Sequence, residues 1–202
     1  MEIGLFPLGL VLLPGEFLPL HIFEERYKEL LAHCIASGDP FGVLYSDDAG
    51  VRSIGTKAII SEVIESLPDG RSNILVEGGE RFQTVALTQG RSFHTAEVKD
   101  LKDGFPDADP QLAAGCLASL ERIAAAAGTR LERLPAPGDG LSFRIAAQVD
   151  VGPEAKQELL ELTSENARLE RLTQLLDGAV DEVRKRTIGA RASGNGKVDR
   201  LS

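Results

Sequence analysis

A chain of 202 residues, 43% hydrophobic and 26% charged, is long enough to bury a real core, which excludes the disordered and fibrous classes. Its formal charge of −9 repels polyphosphates, so nucleic acid starts as a disfavoured partner. Cys34 and Cys116 lie far apart without C-x-x-C spacing, which argues against a disulfide framework or zinc knuckle and for reduced thiols in a cytoplasm.

The first stretch, Leu5 to Leu31, is very apolar, but it does not read as a targeting or spanning segment. No positive charge precedes it and no A-x-A-like site follows. A spanning helix would bury Glu16 and His21, with Pro7, Pro14 and Pro19 removing backbone donors inside it. No membrane partner is expected. The pattern instead predicts neighbouring strands at Ile3–Leu8 and Phe17–Ile22, joined through a Pro14-Gly15 turn. Phe23, Tyr27, Leu30, Leu31, Cys34 and Ile35 then recur at helical spacing, which predicts a helix from Glu24 to Ala36 ended by Ser37-Gly38-Asp39-Pro40.

From Phe41 to Asp100 the chain reads as strand and turn. Strands are expected at Phe41–Ser46, Thr56–Ser66, Asn73–Glu77, Glu80–Leu87 and Ser92–Lys99. Leu67-Pro68-Asp69-Gly70-Arg71 has hairpin-turn chemistry, Gly78-Gly79 suggests a bulge or sharp bend, and Thr88 to Arg91 forms a further turn. Short strands at this spacing with one helix suggest a small antiparallel barrel or barrel-like sheet.

Asp100 to Pro110 is rich in Asp, Gly and Pro, as linkers are. Asp109 and Pro110 then supply an N-cap and first helical residue, an apolar stripe runs from Leu112 to Ala127, and Gly128 supplies the stop. A loop at Leu134–Gly140 leads to a short helix at Leu141–Val149, and Pro153 starts another. Ser164 caps a last helix carrying Leu169, Leu172, Leu175, Leu176, Val180 and Val183 on one face. The expected organisation is a β subdomain at 1–100, a linker at 101–110, a helical bundle at 111–186 and a flexible basic tail at 187–202.

Three segments in order carry a resemblance: "LFPLGLVLLPGEFLPLHIFEERY", "GTKAIISEVIESLPDGRSNILVEGGERFQTV" and "KQELLELTSENARLERLTQLL". Across residues 4–180 the chain resembles the N-terminal, substrate-binding domain of the Lon proteases in its stand-alone bacterial form. The resemblance implies an α+β fold, a PUA-like β pseudo-barrel with one inserted helix followed by a C-terminal α-helical bundle. It also implies a role in engaging unfolded or client polypeptides, with a protease system as partner. Full Lon proteases continue into ATPase and serine-lysine protease domains. Here no G-x-x-x-x-G-K-[ST] loop occurs, and "SGNGKVD" at 193–199 lacks its first glycine and its Ser or Thr after Lys197. Neither ATP hydrolysis nor proteolysis is expected, and no cofactor.

Other chemistry has few candidates. Cys34 with His33 or His94 as base would suit a thiol-dependent hydrolase. Yet Cys34 lies on the apolar stripe and His33 points about 100° away, so a buried structural thiol is the plainer reading. Cys116 reads the same way. Three scattered histidines make no metal site, and Glu24-Glu25 and Asp47-Asp48 read as solvated charge. PUA-like barrels also occur in RNA-binding proteins, but residues 1–100 hold eight Lys or Arg against fifteen Asp or Glu. The basic residues Arg184, Lys185, Arg186, Arg191, Lys197 and Arg200 gather at the end, as a solvated tail or one that docks on an acidic surface. For polypeptide binding the candidates are Leu12, Leu13 and Phe17, apolar residues around the Pro14-Gly15 turn. They form either an exposed patch or a segment that folds back to plug the barrel.

Overall fold

The computed structural model describes residues 1–89, 91–105, 107–129, 135–136 and 138–194, with no side chain described at 182 or at 184–194. Six strands and five helices follow in the order β1 (Glu2–Leu8), β2 (Phe17–Ile22), α1 (Glu25–Ser37), β3 (Phe41–Asp47), β4 (Gly50–Ser66), β5 (Ser72–Thr88), β6 (Thr95–Asp100), α2 (Pro110–Ala127), α3 (Leu141–Ala146), α4 (Pro153–Glu161) and α5 (Glu165–Gly194). Among these, no helix is long and apolar enough to cross a membrane.

The strands form one sheet in the order β2-β5-β4-β3-β1-β6, and β5 also pairs with β6, so its larger part closes on itself. Two expectations change here. β1 and β2 are not neighbours, since β2 pairs with β5; and the sheet is not wholly antiparallel, since β1 runs parallel to β3. The cause is connectivity: a parallel pair needs a crossover, and β2 with α1 supplies it between β1 and β3.

β5 serves two partners in succession. Its first half pairs with β2 and its second half with β6, while β4 runs along both. The ladder shifts register between Thr56 and Ala58, opposite Gly78 and Arg81, where the glycine pair announced a bulge. The hairpin turn is also in place, with Gly70 at φ 81 and the Gly70 N–H donating to Leu67 O at 2.9 Å. β4 begins earlier than expected, at Gly50, because Asp47 Oδ1 accepts from Ala49 N and a tight turn returns the chain at once. β6 starts later than expected, at Thr95, with Phe93 buried just ahead of it.

α1 covers the inner face of the sheet. Tyr27, Leu30, Leu31 and Cys34 pack with Phe6, Leu20, Ile22, Phe41, Ile74 and Val76. A second core lies among the C-terminal helices, where Cys116, Leu120, Leu141, Ile145, Leu159, Leu160, Leu169, Leu172 and Leu176 meet. The expected caps hold: Asp109 Oδ1 accepts from Gln111 N at 2.7 Å, and Gly128 ends α2 at φ 69. Ser164 Oγ accepts from Ala167 N at the start of α5. α3 ends at Ala146, short of Val149. α5 continues to Gly194, so the backbone of 187–194 is helical where a tail was expected. Lys197 and Arg200 lie outside the described residues, as does part of the loop expected at 134–140.

The two parts are locked together. Arg81 of β5 and Arg168 of α5 both bind Asp103, and both stack on Phe143 of α3. Arg81 also donates to Leu160 O and Leu162 O, at 2.6 and 2.7 Å. Glu165, fully buried, accepts from Arg168 Nη2 at 2.6 Å and from Ser142 N at 2.7 Å. Burial works against charge on Arg168, but its hydrogen bonds to Asp103 and Glu165 outweigh that and raise its pKa. The segment expected as a linker therefore carries the ion at the joint. Gly104 N donates to Thr163 O, and Phe105 bridges Ser164.

Candidate polypeptide-binding surface

β3 pairs with β4 only as far as Phe41 opposite Ala58. Beyond that point β4 continues to Ser66 with β5 on one side, and among the described strands none lies on the other. Residues 59–66 thus present a free row of backbone donors and acceptors, the element that strand addition needs. Two register shifts, at Ile60/Glu62 and Val63/Glu65, interrupt the regular ladder with β5 along this stretch.

A groove of about 320 Å³ runs along the edge, walled by the end of α1 on one side and β4 on the other. Cys34, Ile35, Gly38 and Asp39 form the first wall, and Ile59 to Val63 form the second. Gly38 makes this wall possible: it ends α1 at φ 75, and its N–H donates to Cys34 O at 2.8 Å. Ile35 and Ile59 are each more than half exposed, and Ile64 and Val63 extend the apolar strip. Helical spacing puts Ile35 and Phe23 in the buried stripe of α1, but the structure leaves both exposed. Phe23 precedes the first residue of α1, and Ile35 falls outside the buried arc of Tyr27, Leu30, Leu31 and Cys34.

The outer face of the flap formed by β2, β5 and β4 continues the surface. Phe17 pairs across to Glu77, and Glu77 to Ile59, so the three share one row and one face. Farther along, His21 Nδ1 lies 2.7 Å from Asn73 Oδ1, Asn73 Nδ2 donates to Glu65 Oε2 at 2.8 Å, and Phe23 stacks on His21.

The three residues singled out from the sequence separate. Phe17 stands in the outer row, 55% exposed, whereas Leu12 and Leu13 are buried, Leu12 in the sheet core and Leu13 in the helical core. Their loop plugs the joint: Thr56 Oγ1 donates to Leu12 O at 2.6 Å, and Glu16 accepts both from Leu13 N and from Lys156 Nζ. A second apolar cleft, also about 320 Å³, opens toward the start of β4 between Leu5, Leu44, Val51 and Leu87.

Cys34 is poor material for catalysis. Burial pushes its thiol up to about 11, Asp39 adds to the shift, and Arg91 only partly opposes it. Cys116 is buried and its thiol is raised too, chiefly by burial. Among the described residues no group of three or more His, Cys, Asp or Glu could hold a metal ion.

The family model of the ATP-dependent protease La (LON) substrate-binding domain matches residues 2–178. The chain belongs to this family. A curated Lon protease from Paraburkholderia phytofirmans is 28% identical over 192 residues, covering 86% of this chain and 24% of that protein. The chain thus spans about a quarter of the length of that curated relative. Among solved structures, a Lon N-terminal domain protein from Xanthomonas campestris superposes with a TM-score of 0.67 at 26% identity, covering 85% of this chain and 96% of that one. The N-terminal domain of the Mycobacterium avium complex Lon protease has the same fold, with a TM-score of 0.66 at 17% identity over 88% and 98% of the two chains. The mixed sheet and helix architecture is therefore that of Lon N-terminal domains.

Proposed function

We propose that this chain is a non-catalytic module that captures extended segments of unfolded or client polypeptides by adding them as a strand to β4. The carrying observation is the free edge at 59–66 lying over an apolar groove. An unfolded segment offers backbone groups and alternating side chains. The edge pairs with the first, and Ile35, Ile60 and Val63 take the apolar half of the second. The family's description as a substrate-binding domain supports the same reading.

The closed part of the sheet with its inserted helix supports a PUA-like pseudo-barrel, and the shared core of α2 to α5 supports a C-terminal helical bundle. Within residues 1–202 we assign recognition alone, in the service of a protease system. The two free thiols support a reducing, cytoplasmic setting.

Isothermal titration against a permanently unfolded, carboxymethylated polypeptide and against oligoribonucleotides tests this. Heat is expected with the polypeptide, and Ile35→Asp should weaken binding about tenfold without unfolding the protein, since Ile35 is exposed. Heat with RNA alone overturns the proposal.

A further inference from the structure

The groove and the row beside it are apolar, yet every charged residue on them is acidic. Asp39 and Glu62 line the groove, and among the described residues no Lys or Arg does. Glu77 stands between Phe17 and Ile59. Among the described residues none of these three carboxylates has a hydrogen-bond or ion-pair partner. Several nearby carboxylates are paired instead: Glu80 and Asp100 hold Lys57, Asp47 holds Arg52, and Asp69 holds Arg71. Arg91 shares the neighbouring cleft with Asp39, but no ion pair joins them.

Building on the strand-addition reading, we infer that the surface selects segments in which apolar residues alternate with lysine or arginine. The period of a strand makes this one requirement. Successive side chains of an added strand point to opposite faces. One set enters the groove beside Ile60 and Val63, and the other emerges on the outer face beside Ile59 and Glu62, with Glu77 one strand farther. A cation there meets a carboxylate that has no other partner, while an anion meets like charge. Free acids on an apolar ground thus set the specificity, and the strand edge supplies sequence-independent affinity.

Three blocked peptides separate the claims, with alternating valine and lysine, valine and glutamine, or valine and glutamate, titrated by fluorescence anisotropy. The lysine peptide should bind about tenfold tighter than the glutamine peptide at low salt, with the gap closing as salt screens it, and the glutamate peptide should bind weakest. Asp39→Asn combined with Glu62→Gln should bring the affinity for the lysine peptide down toward that for the glutamine peptide, and adding Glu77→Gln should make the two equal. Equal binding of the lysine and glutamine peptides to the unaltered protein, or a preference that the triple variant leaves undiminished, overturns the charge selection alone. Binding of no peptide overturns strand addition as well.

Discussion

Leu12 and Leu13 are consecutive in the chain and belong to different hydrophobic cores, the first under the sheet and the second among the C-terminal helices. This peptide bond joins the two cores directly, beside the Arg81–Asp103–Arg168 joint. An extended backbone allows this, because alternate side chains leave it in opposite directions. Leu13→Ala should therefore destabilise the whole chain by about 2–5 kcal/mol and leave a single transition in urea melts followed by circular dichroism. Separate melting of strand and helix signals would contradict the coupling.

The loop that carries these leucines rests against β5 so closely that only glycine fits. A Cβ at Gly78 would sit 2.1 Å from Leu13 O, and Gly78 itself exchanges backbone hydrogen bonds with Gly15 and Glu16. Gly78→Ala should cost about 3 kcal/mol, measured as a lowered urea midpoint. By contrast, Gly115 and Gly178 sit on helices where an added Cβ would meet nothing within 4 Å, and alanine at either should stabilise by about 0.5–1 kcal/mol.

The buried charges at the joint give a pH dependence. Burial alone would raise the Asp103 carboxyl, but hydrogen bonds and charge from Arg168 and Arg81 outweigh it and hold it below the ordinary value. A carboxyl depressed in the folded state stabilises above its unfolded pKa of about 3.9, and that contribution fades as pH falls through the lower folded value. Asp103→Asn should flatten this acid limb of the stability curve. Arg168→Met should do more, costing about 3–5 kcal/mol at neutral pH, because Glu165 is left buried without its cation.

Thiol chemistry tests the burial of Cys34. With its thiol pushed up to about 11, Ellman's reagent at pH 8 should modify it slowly, at a rate set by opening of the fold. Rapid stoichiometric labelling of the native protein would revive a nucleophilic role.

Much of the fold was legible in the sequence where short-range chemistry decides it. The Leu67–Arg71 turn, the Gly78-Gly79 bulge, and the caps at Asp109, Gly128 and Ser164 are each specified by residues within a few positions. Pairing partners were not legible. Nothing near Phe17–Ile22 announces that it joins β5 and not β1, since that choice follows from how α1 crosses over the sheet. The Asp100–Pro110 stretch has the composition of a linker, and its structural role rests on Asp103 meeting two arginines, at positions 81 and 168. The proposed binding surface was half visible. Phe17 could be named from an apolar residue beside a turn, whereas Ile35 was hidden by helical spacing that also suits a core position. The free edge at 59–66 needed the knowledge that β3 begins only at Phe41, opposite Ala58.

The most direct measurement is hydrogen exchange by mass spectrometry on the protein with and without saturating unfolded polypeptide. Free amides along β4 from Ile59 to Ser66 should exchange readily alone and become protected on binding, with residues 34–39 of the opposite wall following. Binding that leaves 59–66 unchanged, with protection confined to the cleft between Leu5, Leu44, Val51 and Leu87, would contradict strand addition at this edge.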